Sequence, residues 1–159
     1  MANILINGDF QDGSAQWTPL DSSFPPKIIS ADDRKAAFIY NHAFSGLRQT
    51  LATPAQASRF TIKFDVKNAY PGVTTSVAAL SLQFMESGGE PAVSPFYVAT
   101  SANWQSVSGT TDFVSDLQLI SVLLTTIYVP KGKDLTLATA EEIKAQPVLI
   151  TNVVIEPSS

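Results

Sequence analysis

The sequence contains no cysteine and a single histidine, and it carries few charges. Without cysteine there is no disulfide, no thiolate zinc site and no cysteine nucleophile. One histidine, His42, excludes a multi-histidine metal centre. It is also the only imidazole available to a Ser-His-Asp device, and no Gly-x-Ser-x-Gly elbow accompanies it. Charged residues make up 15% of the chain, against about 25% in an ordinary soluble domain. Lys and Arg occur singly and the net charge is −4, so no basic stripe exists to neutralise nucleic-acid phosphates. No phosphate-binding glycine loop and no Asn-x-Ser/Thr sequon occurs. The most apolar stretch, Leu117 to Val129, is interrupted by Gln118, Ser121, Thr125 and Thr126. It falls short of the roughly 20 residues a membrane helix needs. The opening Met1-Ala2-Asn3-Ile4 lacks the basic and apolar regions of a signal peptide. The chain therefore reads as cytoplasmic, or as exported without a visible signal.

Paired carboxylates are equally sparse. Asp32-Asp33 adjoin Arg34-Lys35 and read as a solvated turn, while Asp112 and Asp116 flank Phe113-Val114 in a loop. Neither pair has two distinct environments that would separate an acid from a base. The sequence gives no reason to expect an enzyme.

What is present is alternation. From Arg59 to Lys67 every even position is apolar and every odd one polar, the mark of a strand with one wet face. In the next strand, Val77 to Glu86, Leu80, Leu82 and Phe84 share one face and Ser81, Gln83 and Met85 the other. Further strands are expected at Ile4–Ile6, Lys27–Ser30, Ala36–Asn41, Gly46–Leu51, Pro95–Thr100, Gln105–Gly109 and Val148–Glu156. Gln118–Val129, apolar on both faces, belongs at the centre of a sheet. Turn clusters such as Tyr70-Pro71-Gly72 and Ser87-Gly88-Gly89 separate them. This is the pattern of an all-β, two-sheet antiparallel sandwich in one domain spanning residues 1–159. Thr139-Ala140-Glu141-Glu142 fits a capping box, so one short helix is expected near residues 140–145.

Several ordered motifs carry a family resemblance. Asn3-Ile4-Leu5-Ile6-Asn7-Gly8-Asp9-Phe10, followed by Asp12-Gly13 and Trp17, resembles the opening of carbohydrate-binding modules of the galactose-binding-domain-like jelly-roll superfamily. Leu47-Arg48-Gln49-Thr50-Leu51, Phe60 to Val66, Asn103-Trp104-Gln105 and Ile150 to Ile155 are similar to later strands of such modules, in the same order. The resemblance implies a jelly roll that binds glycans on its concave face or at edge loops. It also implies a packing role between the sheets for Trp17 and Trp104. Many relatives hold a structural calcium with an acid after the opening Phe and another in the closing strand. Here those places hold Gln11 and Thr151. Calcium favours anionic oxygen ligands, so the substitutions argue against the site, although Asp9 and Asp12 stay nearby. No cofactor is expected.

A sugar packs its C–H face on an aromatic ring and offers its hydroxyls to planar polar groups. Phe60, Phe64 and Phe84 are core by alternation. Phe24, Tyr40, Phe44, Tyr70, Phe96 and Tyr97 sit near strand ends or turns. Tyr40, His42, Arg48, Gln49, Tyr70, Gln83, Phe96 and Tyr97 form the candidate ligand-binding set. The expected function is a non-catalytic glycan-binding module or small lectin, with room for a homo-oligomer. The alternative is a structural or protein-interaction subunit of a larger assembly.

Overall fold

Among the described residues, ten strands carry the alternation seen in the sequence. They are β1 (Thr18–Pro19), β2 (Lys27–Ala31), β3 (Arg34–Ile39), β4 (Gly46–Gln56), β5 (Arg59–Asn68), β6 (Ser76–Met85), β7 (Pro91–Ala99), β8 (Gln105–Asp112), β9 (Gln118–Tyr128) and β10 (Val148–Ser158). The structure is a computed structural model, and it describes residues 3–23, 25–40, 45–70, 76–85, 91–112, 118–128 and 147–158. The helix expected near residues 140–145 lies outside the described residues, as do His42, Phe24 and Phe44. Among the described residues no helix is long and apolar enough to cross a membrane.

The strands form two five-stranded sheets, ordered β1-β4-β9-β6-β7 and β2-β3-β10-β5-β8. Every neighbouring pair is antiparallel. The result is a jelly-roll sandwich whose core lies between the sheets. Phe60, Ile62, Phe64 and Val66 of β5 point inward, as do Leu80, Leu82 and Phe84 of β6, all of them buried. Phe60 meets Phe84 edge to face at 5.7 Å between ring centroids. The expected central position of the doubly apolar strand is met, since β9 lies in the middle of its sheet.

Residues Ile4–Ile6 do not form the expected strand. They run beside β10 instead, where Ile4 N–H donates to Ile155 O at 2.9 Å and Asn3 Oδ1 accepts from Ile155 N–H at 2.9 Å. The reason is the turn that follows. Asn7 has a left-handed backbone, φ 55°, a conformation Asn tolerates better than most residues. Its side-chain amide donates to Gly13 O and Ala15 O at 3.0 and 2.9 Å and accepts from Asp12 N–H at 3.0 Å. Its carbonyl takes the Trp17 indole N–H at 2.9 Å. Trp17 is thereby fixed in the core beside Phe10, with ring centroids 5.5 Å apart. Gly8 then passes so close to β10 that a Cβ there would lie 2.1 Å from Val153 O.

A candidate ligand face on the first sheet

The outward side of the first sheet can be read rung by rung from its register. Successive rungs are Gly46–Thr125–Ala79–Tyr97, then Thr18–Arg48–Leu123–Ser81–Pro95, then Thr50–Ser121–Gln83–Val93. Small or short side chains dominate the middle strands β9 and β6. Ala79 and Ser121 are buried, and Ser81, Leu123 and Thr125 are half-buried. The outer strands carry taller groups. Arg48 is exposed on β4, and Tyr97 is 49% exposed on β7. By side-chain size the face stands highest at Arg48 and Tyr97 and lower between them, and this strip is called the trough below. With strands about 4.8 Å apart, the trough is about 14 Å wide from β4 to β7.

Three of the eight candidate residues share this face, Arg48, Gln83 and Tyr97, with Tyr97 two rungs from Gln83 and at the opposite margin from Arg48. Gln83 is half-buried, and its Oε1 accepts from the Ser121 hydroxyl at 2.6 Å. That bond orients the amide and leaves its N–H donors without a partner among the described residues. Arg48 has no ion pair among the described residues. The face therefore carries an aromatic surface, an oriented amide and a guanidinium. The floor residues were not among the sequence candidates. Their signal was present all the same, because Ser121 and Thr125, which interrupt the apolar run of β9, are two of its outward positions.

The other described candidates lie elsewhere. Gln49 follows Arg48 and so must point the opposite way. It is 3% exposed, and its amide accepts from Ile6 N–H and donates to Ile6 O, both at 2.8 Å. It stands in for a strand partner to the N-terminal segment and has nothing to offer a ligand. Phe96, the neighbour of Tyr97, faces inward by the same rule. It packs edge to face on Phe64 with ring centroids 6.0 Å apart. Tyr40 and Tyr70 belong to the second sheet. They bracket Phe38, at 5.1 and 5.9 Å between ring centroids, and are separated from the trough by the thickness of the sandwich.

Trp104 also departs from expectation. It is half-exposed outside the second sheet, because Gln105 opposite Val66 takes the inward position and leaves residue 104 facing out. Its indole N–H donates to Asp32 Oδ2 at 3.0 Å, and the Arg34 guanidinium lies 4.8 Å above the ring. Hydrogen bonds from Lys67 and then from Trp104 hold the Asp32 carboxyl below its usual range.

The corner around Gln11 and Thr151 is occupied by protein groups. Lys35 Nζ donates to Gln11 O at 3.3 Å, and the Thr151 hydroxyl donates to Lys35 O at 2.5 Å. The Gln11 carbonyl thus already faces the Lys35 ammonium. Among the described residues no three His, Cys, Asp or Glu side chains cluster.

Comparison with solved structures places this architecture. The fold is that of carbohydrate-binding modules. The chain superimposes on the CBM22-1–GH10 portion of a Clostridium thermocellum endo-1,4-β-D-xylanase complexed with xylohexaose, with a TM-score of 0.69 and 13% identity. That match covers 98% of this chain and 29% of the other, so this chain spans under a third of that two-module chain. It also matches the CBM22-2 xylan-binding domain of a Paenibacillus barcinonensis xylanase, with a TM-score of 0.65, 14% identity, and 95% and 98% of the two chains covered. A third match is a CBM61 module in complex with β-1,4-galactotriose, with a TM-score of 0.59, 15% identity, and 99% and 100% covered. No family model matches the sequence, and no curated protein matches it. At these identities the likeness establishes the module fold and nothing about the ligand.

Proposed function

We propose that the protein is a non-catalytic glycan-binding module whose ligand lies along the trough of the first sheet. The observation that carries this reading is that Tyr97, Gln83 and Arg48 stand on one open face, spread over the length of a short oligosaccharide, with mostly short side chains between them. Tyr97 supplies a ring for the sugar's C–H face, and Gln83 and Arg48 supply donors for its oxygens. The trough crosses four strands, which suits a short oligosaccharide better than a single ring. Among the described residues no paired acid and base flanks it, which supports binding without cleavage.

Isothermal titration with xylohexaose and β-1,4-galactotriose tests it. Tyr97→Ala is expected to weaken binding about tenfold, the scale of one lost stacking contact plus its buried area. Gln83→Ala is expected to weaken it several-fold. Unchanged affinity in Tyr97→Ala would sink the proposal.

The module is also proposed to need no metal. Adding calcium or EDTA should leave the thermal midpoint within about 1 °C, because a bound ion would raise it by mass action. A clear rise with calcium would contradict the account of the Lys35 corner.

An assembly role has one observation in its favour. The edge strand β7 exposes Val93 (58%) and Tyr97 on the same outer face, two rungs apart. Pro95 between them lacks a backbone N–H, which makes the strand a poor template for edge-to-edge pairing. Light scattering separates the readings, since a dimer that buries Tyr97 would favour assembly.

A further inference from the structure

The second sheet carries a hollow on its own outer side, on the far side of the sandwich from the trough. The hollow is about 400 Å³ in volume and is lined by Lys63, Asp65, Ser106, Ser108, Asn152 and Val154, with Phe64 and Val107 contributing at its base. Its shape comes from a bulge in β10. Thr151 pairs with Asp65 and Val154 with Lys63, so one extra residue is accommodated between them. Asn152 takes up the extra length with a left-handed backbone, φ 52°. Bulges of this kind redirect a side chain, and here Asn152 Nδ2 donates to Asp65 Oδ2 at 2.8 Å.

The same carboxylate oxygen accepts from Arg34 Nη1 at 2.9 Å. Arg34 stacks on Trp104, Trp104 donates to Asp32, and Lys67 pairs with Asp32 at 2.7 Å. Asp32 and Asp33 hold the β2–β3 turn with φ of 51° and 65°, a left-handed pair that such a turn normally fills with Asn-Gly or Asp-Gly. The six side chains form one connected network in which two cations balance two anions. Lys63 pairs in turn with Glu156 at 3.7 Å. The face is polar, pre-positioned and locally neutral. That balance disfavours an anionic or cationic ligand and suits an uncharged polyhydroxyl one. Asp65 spends only Oδ2 on these bonds, and the Ser106 and Ser108 hydroxyls have no partner among the described residues. A carboxylate oxygen beside two hydroxyls and an ammonium can take both oxygens of a vicinal diol.

We propose that this hollow is a second saccharide-binding site, with Asp65, Ser106, Ser108 and Lys63 taking the hydroxyls of one sugar unit and Asn152 and Arg34 fixing Asp65. The choice of a sugar as ligand rests on the functional reading above, but the site shares no residue with the trough. Because the two sites lie on opposite faces, one molecule can hold two glycan chains at once. Avidity toward an insoluble polysaccharide then exceeds the affinity of either site.

Amide chemical-shift titration with xylohexaose and with β-1,4-galactotriose tests the proposal on the intact chain. With at least one probe, Ser106, Val107, Ser108 and Asn152 are expected to shift, and the shifts should persist in Tyr97→Ala. Ser108→Tyr, outward on an exposed edge strand, should fill the hollow and weaken these shifts at least tenfold in apparent affinity, leaving those around Tyr97 and Gln83 intact. Asp65→Asn should do the same, and Ser108→Tyr guards against loss of folding in that variant. Shifts confined to the first sheet would overturn the second site and keep the trough. Shifts confined to the second sheet would keep the second site and overturn the trough. No shifts with either probe would overturn both.

Discussion

Gly8→Ala should destabilise the fold by about 3 kcal/mol, the upper part of the usual range for forcing atoms into filled space. For a chain of this length each kcal/mol moves the midpoint roughly 2–4 °C, so thermal unfolding should begin about 10 °C lower. The cause is contact and not backbone preference. A Cβ on Gly8 would lie 2.1 Å from Val153 O and 3.1 Å from Val153 C. Neither atom is the end of a flexible side chain. Relief requires the N-terminal turn to lift off β10, which breaks the 3.0 Å bond from Val153 N–H to Gly8 O. Gly13→Ala is the control. Gly13 has φ 64° but nothing within 4 Å of its would-be Cβ, so it should lose only the roughly 1–2 kcal/mol of a left-handed alanine. Equal losses in the two variants, by calorimetry, would refute the steric cause.

Asn7→Ala should cost about 3–4 kcal/mol. The amide makes three hydrogen bonds, to Gly13 O, Ala15 O and Asp12 N–H, each worth about 1 kcal/mol net. Left-handed backbone strain adds the remainder. Asn7→Gly removes the bonds without the strain and should lose about 1 kcal/mol less. Asn7→Asp should fare no better than alanine, because it points a carboxylate oxygen at two carbonyls. Urea denaturation with a constant slope measures all three. A loss under about 1 kcal/mol in Asn7→Ala, the worth of a single hydrogen bond, would show that the Asn7 side chain does not hold the turn.

Both residues belong to the opening motif on which the resemblance to carbohydrate-binding modules rests. The motif is legible because each position does one physical thing, whether it makes a left-handed corner, allows a close approach or buries a ring. The inward faces of β5 and β6 were legible for a related reason. A period of two with one apolar parity leaves no choice of side, so Phe60, Phe64 and Phe84 could be placed, and Gln83 opposite them. The candidate site was harder to read where apolar or polar residues adjoin. Arg48 and Gln49, or Phe96 and Tyr97, cannot share a face. Which member points outward is set by pairing with strands distant in sequence, Leu123 for Arg48 and Ala79 for Tyr97. The motif around Trp104 fits a core tryptophan, yet the residue faces outward. Its true environment depends on Asp32, 72 residues away. The Asn152 bulge left no local signal either, since Thr151-Asn152-Val153 reads as an unbroken strand.

The sheet orders bear on how the chain can fold. β9 and β10, the last two of the described strands, are the middle strands of their sheets. Until they arrive, β4 and β6 on one side and β3 and β5 on the other have no partner between them. A growing chain therefore exposes four apolar edges that only its final segments can close, a state prone to pairing with other chains. Such long-range closure also predicts slow folding for the chain's size. Loss of the last strand would split its sheet in two, where loss of an edge strand would only trim it.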